Sequence, residues 1–206
     1  GYEAEFGRAT GGTINVITKS GGNEYHGSVF GYDDRSNRQS NLSKDVVAIS
    51  STLGSSWVQS GYTRNDYGAD LGGYVVKDRL WFFGAYDYVK NDSDHQVASD
   101  FTRYGGDNYG FPTVGSVLVD EVTRNLWSGK LTYRATDSSS FIVSAFGDPT
   151  TETGPIGNPG SGGNNLAGNT NSFMGSNRSG GTDATAKYEG VLGTSWVLDV
   201  QVSQHK

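Results

Sequence analysis

Three histidines, His26, His95 and His205, and a scatter of carboxylates are the residues that could do chemistry here, and their spacing argues against most of it. The histidines lie far apart and show none of the spacings by which side chains gather a metal ion. His26 alternates with Ser28, which invites a hydrolase reading, but no G-x-S-x-G elbow accompanies the pair and that reading is weak. Asp92 and Asp94, or Asp120-Glu121, could offer clustered oxygens to calcium, although a solvated acidic loop is the simpler reading. Gly68–Gly73, reading GADLGG, has only the look of a nucleotide loop, because no helix follows it. Its glycines suit bends or close packing instead. No catalytic residue, no metal ligand and no cofactor is therefore expected.

The elements that would position these side chains are strands. With 31 glycines, 12 tyrosines, no cysteine and only 34% hydrophobic residues, the composition points to many short strands and glycine-rich turns. A net charge of −6, spread along the chain, leaves no basic patch for nucleic acid. No apolar run approaches the ~20 residues of a membrane-crossing helix, and Gly1–Phe6 carries no charged leader or apolar signal core. Seven runs read as strands: 24–33, 65–76, 80–89, 120–134, 140–147, 181–192 and 196–204. The last is the cleanest, with Trp196, Leu198, Val200 and Val202 alternating against Val197, Asp199, Gln201 and Ser203. Val46–Ile49 and Trp57-Val58 are apolar islands inside a polar connection. Lys77–Arg79, Ala135–Ser139 and Gly193–Ser195 read as short turns, whereas 34–64, 90–119 and 148–180 read as long loops. Every long loop thus falls at one end of the strands, the pattern of an outer-membrane barrel with short periplasmic turns and long external loops.

The stretch Gly7–Arg35, GRATGGTINVITKSGGNEYHGSVFGYDDR, gives this pattern a family. Phe6-Gly7-Arg8, Gly11-Gly12, Ile14-Asn15-Val16, Thr18–Gly21, Asn23, His26-Gly27 and Phe30 follow a segment of the form YGRxxGGxINVxTKSGxNxxHGxxF, and Asn65–Tyr88 follows NxxGxxLGGxxxKDxxFFFxxYxx. In both blocks the chain resembles the TonB-dependent outer-membrane transporters, especially their large Oar-like branch, at the junction between plug and barrel. The resemblance implies an all-β fold: about seven antiparallel strands of a larger plugged transmembrane β-barrel, preceded by the last strand of a plug domain. Residues 1–23, with a short strand at Thr13–Thr18, would end the plug. Residues 24–206 would begin the barrel, and such transporters close around a plugged lumen with about 22 strands. Alone in water these residues are not expected to fold stably, since an open sheet leaves edges unpaired.

Further expectations follow from that reading. Leu131, Tyr133, Tyr188, Leu192, Leu198, Val200 and Val202 are expected to face lipid. Tyr86, Tyr88, Trp127 and Trp196 are candidate interfacial aromatics. Lys130, Arg134, Asp183, Lys187, Glu189 and Asp199 should line the interior. Arg8, Asn15 and Lys19 are implied to tie plug to barrel wall. The partners implied are outer-membrane lipid, an unidentified solute and the TonB system, the last through a segment upstream of Gly1, with nucleic acid excluded. The implied location is the bacterial outer membrane and the implied activity TonB-driven uptake of a large or scarce solute. The competing reading is an extracellular structural or adhesive β-protein built from barrel-like hairpins, in which another sheet would cover Leu198, Val200 and Val202. An enzyme ranks third.

Overall fold

A computed structural model describes residues 19–38, 57–97, 115–155, 174–193 and 195–206, and the side chains of all these except 57–59, 97 and 192. The described residues form nine strands: β1 His26–Arg35, β2 Trp57–Val76, β3 Leu80–Val97, β4 Val117–Thr136, β5 Ser139–Gly147, β6 Thr150–Pro155, β7 Met174–Ser179, β8 Thr182–Leu192 and β9 Trp196–His205. A single 3-10 turn, Ser36–Arg38, follows β1. The strands make one antiparallel sheet in the order β1-β2-β3-β4-β5-β8-β9, with β6 paired to β4 and β7.

Nine segments amount to seven long strands. β5 and β6 both pair with β4, at Trp127↔Gly147 and Arg124↔Thr150, so they are one strand broken at Asp148-Pro149. Its neighbour is broken opposite, at Gly180-Gly181, between Thr150↔Ser179 and Gly147↔Thr182. Pro149 has no N–H to give to the ladder, while Gly180 takes a φ of 91°, the left-handed region that glycine enters most easily. The break is bridged locally, because the Asp148 side chain accepts from the Gly181 N–H at 2.7 Å and the Pro149 carbonyl accepts from the Asn125 N–H at 3.0 Å.

The strands are longer than the apolar pattern indicated. β2 begins at Trp57 rather than Asn65, so the Trp57-Val58 island is strand, and β3 continues past Val89 to Val97. β4 runs from Val117 to Thr136, so the turn before β5 shrinks to Asp137-Ser138. Parts of the three expected long loops, at 57–64, 90–97, 117–119, 150–155 and 174–179, are therefore strand. A ladder of backbone hydrogen bonds carries no requirement for apolar side chains, which is why polar extensions leave no trace in the hydropathy pattern. Val46–Ile49 and Thr13–Thr18 lie outside the described residues.

Register divides the side chains into two faces. One carries Leu71, Phe82, Leu131, Val143, Ala186 and Val202 in rows such as Phe82↔Leu131↔Val143↔Ala186↔Val202. The other carries Phe83↔Lys130↔Ser144↔Thr185↔Ser203. The first stays open, with Leu131 50%, Val143 54% and Val202 69% exposed, whereas Phe83 and Val89 on the second are 6% and 4% exposed. The sheet is thus concave toward the second face. Among the described residues Phe83, Val89 and, at the end of β6, Pro155 are the buried apolar side chains, too few and too far apart for the sheet to build a dry core of its own.

Candidate functional site

The concave face and the short strap leading onto it form the candidate site. β1, β3, β4 and β5 point Phe30, Phe83, Leu126 and Phe146 into a trough of about 730 Å³, with Asp70, Asp87 and Asp183 beside them and Lys19 of the strap against it. An apolar floor rimmed by carboxylates suits a covering segment that brings both apolar and basic side chains.

Asn23 fixes the strap to the sheet. Its Oδ1 accepts from the Asp78 N–H at 3.0 Å and from Trp81 Nε1 at 2.7 Å, while its Nδ2 donates to Asp78 Oδ1 at 2.5 Å. Asp78 holds the β2–β3 turn with a φ of 64°, a conformation that Asp adopts more readily than most residues. Two residues on, the Tyr25 hydroxyl donates to the Tyr74 carbonyl at 2.7 Å and its ring lies 4.8 Å from that of Tyr74. Sequence reasoning matched Asn23 and Asp78 to the family blocks but gave neither a role. A lone amide between a glycine pair and a strand was the available signal.

The chemistry-bearing residues disperse. His26 Nδ1 bonds the Gly72 carbonyl at 3.0 Å, and the Ser28 hydroxyl donates to the Asp70 carboxylate, so both are engaged by β2 rather than by each other. His205 pairs with Asp183 at 3.0 Å. Lys90 takes up two of the four carboxylates that could offer oxygens to calcium, lying 2.7 Å from Glu121 and 3.7 Å from Asp92. The Glu121 carboxylate, foremost, raises the Lys90 ammonium above its ordinary pKa. Asp120 falls on the opposite face, and burial pushes its carboxyl up. Among the described residues no group of three or more His, Cys, Asp or Glu could hold a metal.

Charge concentrates on the concave face. Lys187 sits 2.7 Å from Glu189 and 2.8 Å from Asp199, and the Arg134 guanidinium lies 5.0 Å from the centre of the Trp81 ring. Register puts Lys130, Arg134, Asp183, Lys187, Glu189 and Asp199 together there. It puts Leu131, Tyr133, Tyr188, Leu198, Val200 and Val202 together on the convex face. Leu198, Val200 and Val202 are exposed, so no second sheet covers them among the described residues. Leu192 pairs with Trp196 in register, and its side chain lies outside the described set, as do Arg8 and Asn15.

The four candidate interfacial aromatics share the convex face in two tiers. Tyr86 opposes Trp127, and Tyr88 follows two residues further from the turn, while Trp196 sits beside the β8–β9 turn. The Tyr86 hydroxyl donates to Asn125 Oδ1 at 2.6 Å. Immediately beyond Tyr67 and Tyr88 the same face turns polar, with Asp33 opposite Asn65, Asn65 opposite Lys90 and Lys90 opposite Thr123. At this outer end Asp33 binds Arg35 at 2.8 Å and also Arg38. The hydrogen bond from Arg35, foremost, holds the Asp33 carboxyl below its ordinary pKa.

Comparison with known proteins agrees with this geometry. Residues 17–105 match the family described as outer membrane beta barrel domain. The TonB-dependent transporter Oar of Myxococcus xanthus is 38% identical over 109 residues, which covers 50% of this chain and 8% of that protein. The chain thus spans less than a tenth of the curated relative's length. No solved structure matches.

Proposed function

We propose, from its similarity to an outer membrane beta barrel domain over residues 17–105 and to a TonB-dependent transporter over half of its length, that the chain is an outer-membrane protein of the TonB-dependent kind and supplies barrel wall and plug junction to a transporter that takes up a large or scarce solute. Similarity to a transporter and to a barrel domain points away from an enzyme. What carries the proposal is the division of one sheet into an open apolar face and a charged concave face. Water in the lumen can satisfy the second, and only hydrocarbon suits the first.

In this reading Leu131, Tyr133, Tyr188, Leu192, Leu198, Val200 and Val202 meet lipid, with Trp196 near one interface and Tyr86, Tyr88 and Trp127 near the other. From Leu80 to Tyr88 the convex side of β3 is apolar, about 27 Å along a strand and about 20 Å across the membrane at a tilt near 40°, close to the ~25 Å band of known barrels. β2 and β4, each 20 residues, extend about 66 Å, so their polar ends stand well clear of the membrane as an external wall. Solute contacts fall to that wall and to 34–64, 90–119 and 148–180. Lys19, with Arg8 and Asn15 upstream, joins the plug to the concave face, where Asp70 and Asp87 offer opposite charge. Force from the TonB system, acting upstream, moves the plug; no bond in the solute is made or broken.

The test is uptake in the source bacterium. Deleting the gene should abolish accumulation of one supplied solute, a ferric siderophore, cobalamin, glycan or peptide, to the level reached when a protonophore collapses the energy supply. A mutant that accumulates all of these normally but loses attachment to surfaces would replace transport with adhesion.

A further inference from the structure

We propose that Asn23 is a fastener, so that force on the chain ahead of Gly22 stops at the β2–β3 turn and does not peel β1 from the sheet. Three hydrogen bonds converge on this one exposed amide, and they reach across the base of β1 to Asp78 and Trp81. Trp81 is itself capped by Arg134 of β4, so the attachment extends over three strands. Tyr25 adds a second point, bonded to the Tyr74 carbonyl and lying 6.4 Å from the Phe82 ring.

The two glycines before Asn23 differ in a way that fits this division. A Cβ on Gly21 would fall 2.1 Å from the Phe82 carbonyl oxygen and 2.4 Å from that of Gly73, so the strap is pressed on the sheet backbone there. A Cβ on Gly22 would meet nothing within 4 Å. Gly22 therefore has room on its open side and links a residue seated on the sheet to a residue bonded to its turn. Ahead of it, Lys19 touches the trough through a flexible side chain, a contact that can be exchanged while Asn23 stays in place. Load arriving along the strap meets a cluster of short hydrogen bonds at Asn23 before it meets the β1–β2 ladder. The fastener acts the same way whatever the barrel carries.

Pulling the N-terminal end of the full-length protein, folded in a lipid bilayer and anchored by its far end, tests this. Folded state is checked first by heat-modifiable migration. In the wild type the chain ahead of Gly22 should come free in events that end before β1, and β1 should leave separately at higher force. Asn23→Ala should merge the two, lengthening the last early event by the 10 residues of β1, about 35 Å of extended chain. Asp78→Asn, which keeps an oxygen acceptor and tolerates a left-handed backbone, should behave as wild type. A wild-type trace in which β1 already leaves with the strap, or an Asn23→Ala trace indistinguishable from wild type, overturns the proposal.

Discussion

An arginine at Val143 and an arginine at Ser144 should have very different consequences, although the two residues are neighbours on β5. Val143 is 54% exposed on the convex face, opposite Leu131 on one side and Ala186 on the other. Its row lies between the Leu80–Tyr133–Phe141 row beside the turns and the Tyr86–Trp127 row at the outer tier. It is therefore inside the apolar band, one row to the turn side of its central Gly84–Gly129–Ala145 row, where the cost of arginine approaches the midplane value of about 2–4 kcal/mol, against about 0–1 near the interfaces. Ser144 opposes Lys130 and Thr185 on the concave face, so an arginine there meets a like charge in water, worth about 1 kcal/mol at ~4 Å. The difference, about 1–3 kcal/mol, is a factor of about 5–150 in the folding equilibrium. Urea titration of the full-length protein in phosphatidylcholine vesicles, read by heat-modifiable migration, measures it. Equal midpoints, or a lower midpoint for Ser144→Arg, would refute the face assignment. The pattern alone nominates Val200 and Gln201 for this comparison. Val200 belongs to the row beside the turns and to the outermost described strand, where the penalty is smaller and the neighbour on one side is outside the described sheet.

Trp127 and Trp196 should each be quenched by lipids brominated near the headgroups, in versions of the protein that retain a single tryptophan. Trp81, on the concave face under Arg134, should not be, and quenching of Trp81 as strong as that of Trp127 would reverse the two faces. At the outer end of β1, Asp33 should titrate below the usual 3.8, because Arg35 hydrogen-bonds its carboxylate and Arg35 and Arg38 add attraction. A depressed carboxylate stabilises the folded form fully above that ordinary value and loses its contribution as pH falls through the depressed one. Carboxyl NMR should show Arg35→Gln moving Asp33 back up; an unmoved titration would mean that Arg35 is not the cause.

Strand number and facing were legible because they rest on side chains. Leu131, Tyr133 and Trp127 alternate with Lys130, Arg134 and Ser128 along β4, and a two-residue period has one structural meaning once one face must avoid water. The short turns were legible too, since Lys77–Arg79 and Gly193–Ser195 separate apolar runs by too few residues for anything but a hairpin. The outer halves of β2, β3 and β4 were not. Asn91–Gln96 has the composition of a loop, and pairing with Val58–Arg64 on one side and Val117–Val122 on the other makes it a strand. The β6–β7 hairpin was hidden for the same reason, within a segment of glycine, threonine and asparagine.

Asn23 was hidden for a different reason, and it shows where pattern reading ends. Its partners are Asp78 and Trp81, more than fifty residues away, and no periodicity relates an amide in a strap to the backbone of a turn. What brings them together is the pairing of β1 with β2, which sets His26 opposite Gly72 and so carries Asn23 to the level of the turn that follows Val76. The register of the first hairpin therefore decides where the strap can be fastened. A one-residue slip would send every β1 side chain to the other face, placing Val29 on the concave face and Phe30 on the convex one, and would move Asn23 out of reach of Asp78. Three polar bonds at the base of β1 thus check the same register that the apolar residues higher up require, and the strand is held from both ends by unrelated physics.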